Sequence, residues 1–211
     1  NHATVDGAAD GLRIGDDAGD TLTLAADDVI LDVDNETLLV DALVVGNQDL
    51  VLDVDNGSVF TNTLGAGGAG NLIGDGDDVE GGGDNQSLRV LSDGATTFQM
   101  TVETAGGIFQ ENPAGEVIFQ DDVTVNAGAD PTGNNQSIFN DDVAFNNAGA
   151  GALDLLYTSA IPTTFGTATA DAEMVTLRST GGGELDVTLQ STGAGADGDY
   201  TVNSNLVGNE D

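Results

Sequence analysis

The sequence predicts an all-β fold, a parallel β-solenoid-like stack whose turns are each roughly 20–21 residues long. Three observations carry that expectation. Asp28 to Asn35 reads DVILDVDN, and Asp49 to Asn56 reads DLVLDVDN, identical at six of eight positions. Short aliphatic and β-branched runs (LTL, VILDV, LLV, LVV) are separated by Asp, Asn and Gly, about three runs per period. Helix signals are nearly missing: the chain has 31 glycines, and no stretch keeps a helical period between caps. A fixed period in the low twenties matches one turn of a solenoid. The competing architecture is a pilin-type β-sandwich completed by a neighbour's strand. The expected organisation is a single all-β domain over residues 1–211 with an irregular Gly/Asp-rich loop at 74–86.

The elements follow in order. Residues 1–20 are Gly- and Asp-rich, with a short apolar alternation at Leu12 and Ile14. From Leu22 to Leu64 the pattern is strand, turn, strand, turn. The offset that relates Asp28 to Asp49 also maps Leu22 and Leu24 onto Leu43 and Val45, Leu38 and Leu39 onto Val59 and Phe60, and Leu43 onto Leu64. It places Leu72 and Ile73 after Val51 and Leu52 as well. Gly74 to Asn85 (GDGDDVEGGGDN) then reads as a loop, because its glycines remove any strand preference. SLRVL at Ser87 to Leu91 restarts strand character. A second repeat pairs IFQDDVTVNAG (Ile118 to Gly128) with IFNDDVAFNNAG (Ile138 to Gly149) at an offset of 20. Ile108-Phe109-Gln110 echoes Ile118-Phe119-Gln120 half a period upstream. LDLLY at Leu153 to Tyr157 reads equally as helix or strand. TLRSTGGGELDV and TLQSTGAGADGD repeat near the C-terminus at an offset of 12.

Alternation within LDVDN puts Leu31 and Val33 on one face and Asp32 and Asp34 on the other. In-register stacking then sets Leu52 on Leu31, Val54 on Val33, Asp53 on Asp32 and Asp55 on Asp34. Asp121-Asp122 is expected to sit on Asp141-Asp142 in the same way. Like charges directly opposite one another are destabilising, so the rows call for bridging cations, salt or partial protonation. Asp outnumbers Glu by 29 to 8, and Asp suits both turns and hard-cation ligation. DVDNGS (Asp53 to Ser58) and GDGDD (Gly74 to Asp78) have the alternating oxygen ligands of calcium loops without the closing glutamate. The candidate ligands for Ca2+ are therefore Asp32, Asp34, Asp53, Asp55, Asp75, Asp77 and Asp78. Against this stands the reading of solvated turn aspartates.

The chain carries 37 acidic residues against Arg13, Arg89 and Arg178, with no lysine and a formal charge of −34. That balance excludes ordinary nucleic-acid binding, which needs cationic side chains to replace counterions. It also opposes docking on anionic membranes, and no apolar run reaches the length of a span. Cysteine is absent, and His2 is the single histidine, so neither a zinc site nor a Ser/His/Asp triad is expected. Without tryptophan, and with scattered arginines, a carbohydrate-active cleft is not expected either. Phe98, Phe109, Phe119, Phe139, Phe145 and Phe165 recur at spacings near 10 or 20 and read as a stacked aromatic core. A chain starting at Asn1 with so few tryptic sites fits a processed, exposed product.

VIFQDDVTVNAG, SIFNDDVAFNNAG and LTLAADDVILDV resemble the strand-turn units of bacterial filamentous-haemagglutinin and autotransporter-type surface proteins. The resemblance covers about half the chain in patches. It implies a secreted or cell-surface β-rich structural or adhesive protein, and it supplies no catalytic motif. The expected function is a non-enzymatic extracellular structural protein, the self-assembling subunit of a cell-surface filament, sheath or surface layer. Its expected partners are copies of itself and divalent cations, with no nucleic acid and no membrane insertion. The alternative is a fragment of a secreted adhesin that binds a surface or glycan.

Overall fold

In the computed structural model the described residues are 2–5 (backbone only), 11–17, 19–25, 29–55, 57–68, 71–74, 86–111, 115–126, 136–166, 173–193 and 199–208. They form 22 strands and no helix. The first turn runs His2–Val5 (β1), Leu12–Ile14 (β2) and Thr21–Thr23 (β3). The second runs Val29–Asp34 (β4), Leu38–Val40 (β5) and Leu43–Val45 (β6), and the third continues through Leu50–Asp55 (β7) and Val59–Thr61 (β8) to a single bridge at Leu64. The fourth comprises Gln86–Val90 (β9), Thr96–Phe98 (β10) and Val102–Thr104 (β11); the fifth, Gly107–Gln110 (β12), Val117–Phe119 (β13) and Val123–Val125 (β14). Ser137–Phe139 (β15), Val143–Asn147 (β16) and Leu153–Ser159 (β17) make the sixth, and Thr163–Phe165 (β18), Met174–Ser179 (β19) and Leu185–Ser191 (β20) the seventh. Tyr200–Val202 (β21) and Asn205–Gly208 (β22) begin an eighth.

Every turn visits the same faces in the same order. The first sheet is β1-β4-β7-β9-β12-β15-β18-β21 and the second β2-β5-β8-β10-β13-β16-β19-β22. The third face runs from β3-β6 through bridges at Leu64 to β11-β14-β17-β20. All these pairings are parallel, so the chain is a three-faced solenoid-like stack and the sandwich alternative falls. LDLLY is strand, inside β17.

Period-2 alternation sends one side chain per strand step into a shared axial core, where it lands on its counterpart in the next turn. On the first face that line is Leu31, Leu52, Val90, Gln110, Phe139, Phe165 and Val202. On the third it is Leu22, Val44, Leu64, Val102, Val123, Tyr157 and Leu189. Phe98, Phe119, Phe139, Phe145 and Phe165 are at most 1% exposed, which makes the aromatic core stack real. Phe98, Phe119 and Phe145 stack at 5.3 and 5.9 Å, Phe139 stacks on Phe165 at 5.1 Å, and Tyr157 stands edge-on between the columns. Phe109 departs from the expectation: it faces outward, half-buried, beneath the Arg89 guanidinium at 5.9 Å.

The repeats hold on the first two faces and slip elsewhere. Leu31 lies on Leu52 and Leu38 on Val59, as the offset of the DVDN repeat requires. On the third face Leu22 pairs with Val44, and Val44 with Leu64, because the corners differ by a residue. Ile73 bridges to Thr104 beside the third face and does not stack on Leu52, whose partner is Val90. Of the loop expected at 74–86, Gly74 and Gln86 are described, and Gln86 is already strand, the first residue of β9; residues 75–85 lie outside the described residues. Asp121-Asp122 does not lie over Asp141-Asp142. Ile118 pairs with Ala144, which puts the two IF-DD-V copies on successive faces, β13-β14 and β15-β16. The C-terminal TL-ST copies likewise fall on β19 and β20. These repeats report one strand plus its corner, whereas only the DVDN repeat reports a full turn.

Candidate functional site

The strongest electrostatic feature is the outer side of β4 and β7. Asp32 pairs with Asp53 and Asp34 with Asp55, as the repeat predicts. Asp32 and Asp53 are half-buried; Asp34 and Asp55 are exposed. Burial, then the charges of Asp32, Asp55, Glu111 and Asp93, raise the Asp53 carboxyl above the usual aspartate range. Asp93 and Glu111 belong to the next turns: their N–H groups donate to the Val54 and Val90 carbonyls at 3.3 and 3.0 Å. The sequence period concealed them, since the segment after Leu64 stretches the step from Leu52 to its partner Val90 well beyond one period.

Asp75, Asp77 and Asp78 lie outside the described residues. Among the described residues, no three His, Cys, Asp or Glu side chains are grouped so as to hold a metal ion. The rungs offer carboxylates in pairs, whereas calcium takes six to eight oxygens, so an ion there would draw most ligands from water or a second molecule.

The DD corners do different work. Asp121 Oδ1 accepts from the Asp122 N–H at 2.8 Å, and Asp122 Oδ1 accepts from the Leu156 N–H of the next turn at 2.8 Å. The second corner repeats this: Asp141 Oδ1 takes the Asp142 N–H at 2.8 Å, and Asp142 Oδ1 takes the Met174 N–H at 2.7 Å. Each pair therefore folds its own corner and clamps the strand above it. An ionised acceptor makes this bond stronger than a neutral one. Buried Gln110 serves the same region, donating to the Gly115 and Asp142 carbonyls and accepting from the Asp141 N–H.

All three arginines are engaged on the surface. Arg13 pairs with Asp41, Arg89 covers Phe109, and Arg178 grips Glu116 with both terminal nitrogens at 3.0 and 2.8 Å. Glu116 and Arg178 flank β16, so this fork staples the fifth turn to the seventh.

A glycine column escaped sequence reasoning. A Cβ at Gly57 would meet the Glu36 carbonyl at 1.8 Å, one at Gly94 the Gly57 carbonyl at 1.7 Å, and one at Gly115 the Gly94 carbonyl at 2.1 Å. Stacked backbones at this corner leave no room for a side chain.

Leu12, Ile14, Leu22, Leu24, Val29 and Leu31 line a cavity of about 330 Å³ at the first turn. At the other end Leu189, Val202 and Leu206 top one core line on each face and are 40%, 45% and 65% exposed. No family model, curated protein or solved structure matches the chain.

Proposed function

We propose that the protein is a non-enzymatic structural subunit that self-assembles into an extracellular filament, sheath or surface layer. The observation that carries this reading is the repeated parallel stack itself: strands follow one another turn after turn on three faces about one apolar core and bear carboxylates in register on the outer side, the regular architecture of a rod. The resemblance to filamentous-haemagglutinin and autotransporter-type proteins supports a secreted or cell-surface setting. So does the scarcity of tryptic sites, whose three arginines are all held in contacts. Divalent cations, calcium first among them, bridge carboxylate pairs such as Asp32 with Asp53 within and between subunits, relieving the repulsion of a chain with formal charge −34.

The test is negative-stain electron microscopy of the purified protein with calcium and again with chelator. Filaments or sheets that loosen on chelation support the cation-bridged polymer. Assemblies indifferent to chelator keep the polymer and discard the ion. Single particles under both conditions favour the second reading, an adhesin fragment. That reading draws on the outer side of the second sheet, where the partly exposed Leu39 and Phe60 stack in register.

A further inference from the structure

Resting on the extracellular setting of that reading, we infer that Asn35 is the acceptor of an N-linked glycan. Asn35-Glu36-Thr37 has the Asn-X-Ser/Thr pattern that such transfer requires, with a residue other than proline in the middle. These three residues are the whole corner between β4, which ends at Asp34, and β5, which begins at Leu38. Asn35 and Thr37 are exposed, with Glu36 half-buried between them. The corner is held through its backbone: the Thr37 carbonyl, not the Thr37 hydroxyl, accepts the Leu12 N–H at 3.0 Å. The neighbouring turns meet it with glycine. A Cβ at Gly57 would lie 1.8 Å from the Glu36 carbonyl oxygen, and one at Gly11 2.3 Å from that of Thr37, so neither position sets a side chain against the motif. Asn35 also takes a left-handed φ of 59°, which asparagine adopts more readily than most residues. That backbone accounts for an asparagine at 35. It does not account for the exposed hydroxyl residue two positions on, which the acceptor pattern does.

Two further copies of the pattern provide the contrast. Asn85-Gln86-Ser87 and Asn135-Gln136-Ser137 lead into β9 and β15. Asn85 and Asn135 lie outside the described residues, but Ser87 and Ser137 are fully buried. Ser87 Oγ accepts the Gly106 N–H at 2.7 Å, and Ser137 Oγ accepts the Ile108 N–H at 3.1 Å. Those hydroxyls bond one turn to another, and the folded chain does not offer them to a transferase. At Thr37 it does. The donor is a glycan carried on a polyprenyl phosphate or diphosphate. Asn35 Nδ2 attacks C1 of the sugar, the C1–O bond to phosphate breaks, the lipid phosphate leaves with the bonding pair, and Nδ2 gives one proton to a base. A sugar fixed at this corner adds hydrophilic bulk without occupying a strand edge or displacing a core side chain.

The test uses the native protein from its own cells. Antibody labelling of unpermeabilised cells and of the culture medium first establishes whether the protein is outside. Tandem mass spectrometry of the purified chain then locates any added mass. The expected result is an external protein with hexose-containing mass on Asn35. Thr37→Ala, expressed in the same cells, is expected to lose that mass while Asn35 keeps its backbone conformation, and Thr37→Ser is expected to retain it, because serine restores the hydroxyl. An external protein with Asn35 unmodified, or with sugar on Asn85 or Asn135 and none on Asn35, overturns the assignment and leaves the extracellular reading standing. Added mass on Asn35 that survives Thr37→Ala also overturns it, since the hydroxyl then plays no part. A protein found only inside the cell overturns the extracellular reading and the glycan with it.

Discussion

Phe119 is the side chain on which the core account is most exposed to test. Its ring lies 5.3 Å from Phe98, 5.9 Å from Phe139 and Phe145, and 6.0 Å from Tyr157, with no solvent exposure. Phe119→Ala removes the ring shared by four aromatic neighbours and leaves a cavity the stacked backbones cannot close. Phe→Ala in a tight core costs about 3–5 kcal/mol. Aromatic pairs add about 0.5–1.5 kcal/mol each beyond burial, which puts this site at the upper end of that range. At roughly 2–4 °C per kcal/mol for a chain of this size, the melting temperature should fall by at least about 8 °C. Phe109→Ala is the control: its ring faces outward under Arg89, and an exposed cation–π pair is worth about 0.5–1 kcal/mol. Stacked turns couple mainly to their neighbours, so hydrogen exchange should show the Phe119→Ala loss concentrated in β10, β13, β16 and β17. A Phe119→Ala protein melting within about 2 °C of wild type, or a Phe109→Ala protein falling as far as Phe119→Ala, would refute the core assignment.

Further outcomes follow from the surface and the corners. In chelator, with no divalent cation to bridge Asp32 and Asp53, Asp53→Asn should raise stability at neutral pH. The folded-state carboxyl titrates above its unfolded value through burial and its acidic neighbours, so the native state holds its proton more tightly. Wild-type stability is therefore lost as pH rises through the folded pKa, and the gain from Asp53→Asn should shrink as a melting series moves to mildly acid pH. A gain independent of pH would contradict that origin. Asp122→Ala and Asp142→Ala should each cost about 1–3 kcal/mol by orphaning a strand N–H, with faster amide exchange at Leu156 and Met174 respectively. Asp→Asn at either site keeps an acceptor oxygen and should recover part of the loss. Gly94→Ala should destabilise by about 1–3 kcal/mol or more in chemical denaturation, because the added methyl meets backbone that cannot rotate away. Unchanged stability there would mean the corner is looser than its stacked carbonyls imply.

Particular residues show what was legible in the sequence. Leu31 over Leu52 and Asp32 over Asp53 could be read because the chain between them makes one full turn without insertion. The step from Leu52 to Val90 could not, because a segment with no strand pattern interrupts it. The IF-DD-V pair misled for another reason. Similar residues recur wherever a strand meets the same kind of corner, and here those corners lie on different faces. Sequence similarity reports local environment, while stacking partners depend on the summed length of every intervening corner. The same limit hid Asp93 and Glu111 from the acidic rungs and dispersed the glycine column of Gly57, Gly94 and Gly115. The aromatic core was legible because its spacing follows the strand-corner unit, and Phe109 escaped it because its position on β12 faces outward.

The most direct test of a polymer whose strand-paired turns stack along its axis is diffraction from aligned assemblies. Each turn stacks on the next by strand pairing, so the account predicts a reflection at about 4.8 Å along the filament axis. The same spacing found perpendicular to that axis would mean that subunits associate side by side, and would contradict it.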